Sequence, residues 1–162
     1  MLLHRYVNEN RDHLAEWEPQ RDEAFFGEEA ALERVKASLA SFESGAAVQM
    51  AALDRASGKM VVVCNFNNIV RGAFQACHLG YSVDAAWQGK GLMHEVATAG
   101  VGYMFNEAGL HRVMANHLLN NTRSERLLAR LGFEREGIAR SYLCIAGRWQ
   151  DFVLTSLINS RD

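Results

Sequence analysis

Between Ala76 and Leu118 the chain spells a strand, a glycine-bearing loop, an amphipathic helix and a second strand. Ala76–Val83 and His111–Leu118 carry strand patterning. From Leu92 to about Ala108, Leu92, Val96, Ala99, Tyr103 and Met104 recur at helical spacing and give that helix its buried face. Two strands joined through a covering helix lie parallel in one sheet, because antiparallel neighbours need only a hairpin. This unit commits the domain to an α/β architecture around a mixed sheet.

The flanking segments extend the same plan. Leu3, Tyr6, Val7 and Leu14 predict a helix over Leu2–Trp17, ended by Trp17-Glu18-Pro19 because the residue before a proline disfavours helical geometry. A second helix is predicted from Gly27 to Phe42, with Ala31, Leu32, Val35, Leu39 and Phe42 on one stripe. Ala47–Leu53 and Lys59–Phe66 read as strands joined by the turn residues Asp54-Arg55-Ala56-Ser57-Gly58, and Asn67–Phe74 as irregular. Thr122 and Glu125 are spaced as a capping box for a helix ending at Arg130, with Gly132 as its C-cap. Phe133–Ile145 and Trp149–Leu157 form two antiparallel strands meeting at Ala146-Gly147-Arg148. With a lone proline, Pro19, and no low-complexity linker, residues 1–162 read as a single domain.

Charge and cysteine usage narrow the class of function. A formal net charge of −2 gives no general attraction to nucleic acid. Cys64, Cys77 and Cys144 are isolated in apolar runs, which predicts reduced, buried thiols in a cytoplasmic protein. Neither CxxC nor HExxH occurs, and His111 and His117 in a strand are core or surface residues before they are metal ligands, so no metal is expected. Met1-Leu2-Leu3 runs straight into His4 and Arg5, unlike a signal peptide, and no apolar stretch is long enough to span a bilayer.

The chemistry is concentrated in Gln88-Gly89-Lys90-Gly91-Leu92-Met93, at the mouth of the central helix. A helix start leaves backbone N–H groups without partners and carries partial positive charge. Bare glycines let phosphate oxygens approach those amides, and Lys90 adds a charge. On this segment alone, a tight strand-to-helix turn remains the competing explanation. Neither the GxxxxGK[ST] loop nor the dinucleotide GxGxxG pattern is present.

Gln88-x-x-Gly91-x-Met93 resembles the Q/R-x-x-G-x-G/A signature of GNAT acetyltransferases, with Met93 departing from the usual small last residue. The longer string Trp87–Met93 is similar to the RimJ group of that family. So are Asn67–Phe74, Leu79–Ser82, His111–Asn116, Leu128–Glu134 and Tyr142-Leu143-x-Ile145-x-Gly147-x-Trp149-x-Asp151. The resemblance runs in order over nearly the whole chain. It implies the GNAT fold, a mixed central sheet with a splayed parallel strand pair flanked by helices. Chains of this group usually open with a strand before the first helix. This one begins almost at the helix, which predicts a missing first edge strand, a shorter sheet edge and exposed apolar surface.

The resemblance also implies roles. Ser82 and Val83 would bond the pantetheine arm of acetyl-CoA through their backbone, and Gln88, Gly89, Lys90, Gly91, Leu92 and Met93 would hold its pyrophosphate without a metal. Asn121-x-x-Ser124 matches the family's N-x-x-S motif, which places Asn121 on the arm and Ser124 near the thioester sulfur; helix capping by Asn121 or Thr122 is the plainer alternative. The family's usual glutamate bases do not carry over, because the matching places hold Cys64, Asn65 and Asn67, or Leu143, which leaves Glu18 and Asp151 as candidates. Trp17, Glu18, Phe74, Tyr142 and Asp151 would contribute to acceptor binding, with plain core roles open for Trp17 and Phe74. The implied reaction is acetylation of the N-terminal alanine of a protein, a small-subunit ribosomal protein by likeness to RimJ. A small-molecule amine as acceptor, or a non-catalytic acyl-CoA-binding module associated with the ribosome, are the alternatives.

Overall fold

Six segments of the chain satisfy their backbone groups by pairing laterally: β1 (Val48–Leu53), β2 (Met60–Val70), β3 (Ala76–Val83), β4 (Arg112–Leu118), β5 (Glu134–Ile145) and β6 (Arg148–Ile158). In the computed structural model, which describes residues 1–160, they form one sheet ordered β1-β2-β3-β4-β6-β5. β3 and β4 are its parallel pair; the other neighbours are antiparallel. The two strands of the crossover are therefore adjacent, and the mixed α/β sheet is the one the patterning implies.

Strand alternation sorts the helices between the two faces. Tyr81 hydrogen-bonds to Ser124 in α5 (Thr122–Arg130), whereas its neighbour Ser82 hydrogen-bonds to Tyr6 in α1 (Leu2–Glu9) at 2.8 Å. α5 and α1 thus lie on opposite faces. α4 (Leu92–Asn106) shares the face of α5, burying Ala97, Gly100, Val101 and Met104 over Phe66, which is fully buried. A Cβ on Gly100 would come within 2.7 Å of the Phe66 ring, so a glycine here lets the helix lie close on the sheet. Ala99, expected on that buried face, is exposed.

Several boundaries depart from the sequence patterning, each for a tertiary reason. The predicted helix over Leu2–Trp17 breaks at Asn10 into α1 and a four-residue turn of helix, α2 (Arg11–Leu14). Asn10 is buried, and its side-chain amide donates to the Tyr6 carbonyl (3.0 Å) and Asp84 (3.2 Å) while accepting from the Ala85 amide (2.9 Å). Such an asparagine competes with the helix ladder. β2 runs on to Val70 through a bulge at Asn67–Val70, where Asn68 takes φ +53°; asparagine tolerates that conformation better than most residues. The N-cap of α5 is Asn121, whose Oδ1 accepts from the Ser124 amide, so the Thr122–Glu125 capping box is not the device used.

On α3 (Glu28–Glu43) only Ala31 of the predicted stripe is fully buried, and Leu32, Leu39 and Phe42 are 44, 60 and 52% exposed. α3 lies over β1, the edge of the sheet, where there is least surface to cover it. Cys64 and Cys77 are buried, as expected, and burial pushes both thiols up to about 12; Cys144 is exposed, contrary to expectation.

Asp84, just past β3, ties these layers together. Its carboxylate pairs with Lys59 (2.9 Å), accepts from Asn10 and caps the Ala86 amide (2.9 Å), and its own amide donates to Val61 (2.9 Å). Burial pushes the Asp84 carboxyl up, but Lys59, Asn10 and the Ala86 amide together hold it below its ordinary value. The Asp84→Asn variant is therefore expected to be less stable by about 2–4 kcal/mol near neutral pH. Because the folded-state pKa is lowered, this contribution is complete above the ordinary carboxylate value and is lost as pH falls through the folded one. Urea titrations of both proteins should converge toward acid pH; a constant difference would show that charge is not the cause.

Candidate functional site

The parallel pairing of β3 with β4 extends over only three residue pairs, Ala76↔Arg112, Cys77↔Val113 and His78↔Met114. Beyond them β3 stays on β2 as far as Val62↔Val83, and β4 stays on β6 as far as Leu118↔Phe152. Each strand is held by its outer neighbour, and the inner edges part. Backbone groups along that opening face no strand and must be met by solvent or a ligand. A cavity of about 1260 Å³ opens there, walled by Leu79, Gly80, Tyr81 and Ser82 on one side and Asn116, His117 and Leu118 on the other.

Asn121 and Ser124 stand at this cavity, at the start of α5. Ser124 is 8% exposed, with its amide held 3.1 Å from Asn121 Oδ1 and its hydroxyl against Tyr81. The capping reading of the motif is the one the geometry shows: Asn121 caps the helix, and the cap sets where Ser124 sits. Ser82 and Val83 occupy the end of β3, where the Asp84 amide bonds the Val61 carbonyl of β2. Strand alternation therefore turns the Ser82 backbone to Val63 on β2, contrary to its expected role, and turns that of Val83 to the gap; the Ser82 hydroxyl is engaged by Tyr6.

The glycine loop lies beyond Val83 and is not part of the cavity wall. A short 3-10 turn, Ala85–Trp87, leads into it, and Gly89 and Gly91 take φ +71° and +77°. Gly91 is the N-cap of α4, no side chain caps the first amides of that helix, and the space over both glycines is open. Lys90 Nζ lies 4.5 Å from the Trp87 ring centroid, and Leu92 and Met93 pack into the core. The Gln88 amide spans two basic side chains, accepting from Arg123 Nη1 and lying 2.9 Å from His13 Nε2. With its oxygen taken by Arg123, Gln88 donates through Nε2, which makes His13 Nε2 the acceptor and leaves the Val83 carbonyl (3.3 Å away) to other donors. Sequence reading missed His13 and Arg123, which are 75 and 35 residues from Gln88.

Trp17 and Glu18 line the same cavity. Trp17 packs on Leu118, Ile145 and Phe152, and the Glu18 carbonyl accepts from the Ala146 amide at 3.0 Å, which fixes this turn against the β5–β6 hairpin. Burial pushes the Glu18 carboxyl up, and Arg21 and Arg34 partly oppose it. Tyr142 accepts from Asn116 Nδ2 at 3.3 Å and packs at a tilt on Phe152, 5.7 Å away; both partners line the cavity, and Tyr142 stands behind them. Two predicted residues are not brought in. Phe74, 47% exposed, precedes Ala76 at the closed end of the β3–β4 pair. The Asp151 carboxylate accepts from the Ser141 amide (2.8 Å), whose φ of +46° marks the β5 bulge.

Among the described residues no cluster of three or more His, Cys, Asp or Glu is arranged to hold a metal ion, and no helix is long and apolar enough to cross a membrane. His117 is buried with Nδ1 2.9 Å from the Leu118 carbonyl.

The family model of the acetyltransferase (GNAT) domain matches residues 1–134. The chain belongs to the GNAT acetyltransferase family. It is 46% identical over 152 residues to the [ribosomal protein uS5]-alanine N-acetyltransferase of Escherichia coli (strain K12), covering 94% of this chain and 78% of that one. It is 30% identical to the probable N-acetyltransferase YjcK of Bacillus subtilis (strain 168), covering 96% and 86%. Among solved structures, the ribosomal-protein-S5-alanine acetyltransferase of Vibrio fischeri superposes with a TM-score of 0.95 at 38% identity, covering 98% of this chain and 87% of that one. RimJ of Mycobacterium smegmatis in complex with CoA-disulfide gives 0.91 at 26%, covering 98% and 77%.

The left-handed conformation at Gly91 makes the loop of this acetyltransferase sensitive to any side chain. Gly91→Ala is expected to cost about 1–2 kcal/mol of stability through backbone strain alone, since the space above is open. An unchanged denaturation midpoint would mean that the loop readily adopts another conformation.

Proposed function

We propose that this acetyltransferase transfers the acetyl group of acetyl-CoA to the N-terminal alanine amine of a protein in the cytoplasm. By likeness to the uS5 enzymes, the acceptor is a small-subunit ribosomal protein. The observation that carries the reading is the gap between β3 and β4, open to a large cavity and flanked by Ser124. The pantetheine arm lies along the gap on the backbone of Val83, with Asn121 at its side. Its pyrophosphate rests on the bare amides of the Gln88–Met93 loop, with Lys90 adding charge, so that no metal is required.

In that arrangement the acceptor amine attacks the thioester carbonyl directly, within a ternary complex. The N–C bond forms as the C–S bond breaks, and the sulfur leaves with the bonding pair. The Ser124 hydroxyl donates a hydrogen bond to that developing thiolate. Glu18, a half-buried carboxylate on the acceptor side of the cavity, takes the amine proton directly or through water. Trp17 borders the acceptor channel, and Tyr142 backs its wall. A peptide acceptor is favoured over a small amine by likeness to the uS5-alanine N-acetyltransferases of Escherichia coli and Vibrio fischeri.

Incubation with acetyl-CoA and peptides starting with Ala, Ser or Met, read by mass spectrometry, is expected to show acetylation of the Ala peptide at its α-amine. Acetylation of polyamines but of no peptide would overturn the acceptor assignment. Gly91→Val should weaken acetyl-CoA binding in calorimetry, and equal affinity would count against the phosphate assignment. Glu18→Gln should lower kcat/KM for the peptide by roughly 100-fold or more. Protonation of the acceptor amine slows both proteins below about pH 8. Burial raises the Glu18 pKa, so the wild type alone should show a further acid limb as pH drops through that raised value. A variant keeping that further limb would exclude Glu18 as the base.

A further inference from the structure

Ser124 is proposed above to donate to the leaving sulfur, yet its oxygen is already engaged. The Tyr81 and Ser124 hydroxyls share a hydrogen bond in which either could donate. We propose that Tyr81 is a positioning residue for acetyl transfer: its phenol donates to Ser124 Oγ and so leaves the one Ser124 proton aimed into the gap, at the sulfur. The proposal rests on the role assigned to Ser124.

A serine hydroxyl carries one proton and two lone pairs, and near a helix terminus it turns readily toward backbone carbonyls. Directing it requires occupying a lone pair from a fixed direction. Tyr81 is suited to this because it stands on β3, where its backbone pairs opposite Cys64, and its ring packs against the main core. Its hydroxyl and Ser124 line the same cavity. Ser124 is fixed from the other side by the bond from its amide to Asn121 Oδ1 at 3.1 Å. Main chain and side chain are thus held by two different elements, the α5 N-cap and β3.

Chemistry selects the direction of the shared bond. A phenol is a stronger acid than an alkanol, so it is the better donor. Burial pushes the Tyr81 phenol up to about 12, with the Ser124 hydrogen bond opposing, so it stays protonated through the working range. A donor that stays protonated is poorly matched to protonating the thiolate. A thiol ionises near 8.5, so a proton would have to pass from a much weaker acid to the base of a stronger one. Tyr81 therefore keeps its proton throughout; it orients and does not titrate. Its neighbour Ser82 points to the opposite face, where Tyr6 holds it, so the roles of the two residues do not overlap.

The test is a double-mutant cycle on the full chain with Tyr81→Phe, Ser124→Ala and the pair, using acetyl-CoA and an Ala-starting peptide. Tyr81→Phe, which removes only the hydroxyl, is expected to lower kcat about 10-fold, with acetyl-CoA affinity by calorimetry and thermal midpoint near wild type. Ser124→Ala should be slower still, and adding Tyr81→Phe to it should change little, because the hydroxyl being aimed is gone. Wild-type kcat in Tyr81→Phe with a slow Ser124→Ala would overturn the positioning role alone. So would equal losses from Tyr81→Phe in both backgrounds, or a loss of acetyl-CoA affinity matching the loss of kcat. Wild-type turnover in Ser124→Ala would instead remove the Ser124 reading on which the proposal stands.

Discussion

The functional geometry depends on one unsatisfied ladder. After His78↔Met114 the backbones of β3 and β4 stop pairing with each other, although each continues for several residues on its outer neighbour. Leaving strand edges open inside a sheet is costly unless both margins are held independently. Here they are. The end of β3 is tied by Asp84 to Lys59, Asn10 and the 3-10 turn at Ala85–Trp87, while the end of β4 is tied by Leu118 packing on Ile145, Phe152 and Trp17. The gap is a consequence of two rigid margins, each fixed by contacts that lie outside it.

Those same contacts place the chemical groups. β3 sends Tyr81 to the α5 face and Ser82 to the α1 face, so one strand end organises both sides of the gap. The hairpin that closes β5 and β6 holds the Trp17–Glu18 turn through the Ala146 amide, which fixes a chain end more than a hundred residues away in sequence. A side chain set between secondary-structure elements, each packed independently, loses less freedom on binding than one on a loop.

What the sequence disclosed follows from how local each determinant is. The β3–α4–β4 crossover was legible because strand and helix periods are properties of short windows, and the loop because Gly89 and Gly91 are the residues that take φ near +70° without strain. The break at Asn10 was not, because it depends on Asp84 and Ala85, which the fold brings in from far along the chain. The same holds for the bracing of Gln88 by His13 and Arg123, and for Tyr81, whose importance lies only in what it faces. Phe74 and Asp151 carry suitable side chains but sit where the fold puts them, at the closed end of the strand pair and on the β5 bulge. The apolar stripe of α3 was read correctly as a pattern; that three of its five residues stay exposed depends on β1 being the edge strand.

The proposed acceptor makes a modest demand on the proposed base, Glu18. An α-amino group has a pKa of about 7.7–8.0, so roughly one molecule in seven is neutral at pH 7, against one in a few thousand for a lysine near 10.4. A base for the former need not be strong, only ionised and close. Burial pushes the Glu18 carboxyl up, Arg21 and Arg34 partly oppose it, and the residue lines the cavity. A fully solvated carboxylate would be a weaker proton acceptor, and one closely paired with arginine weaker still. Under the proposed mechanism, an acceptor that arrives already partly neutral asks less of the Glu18 carboxylate than a lysine side chain would.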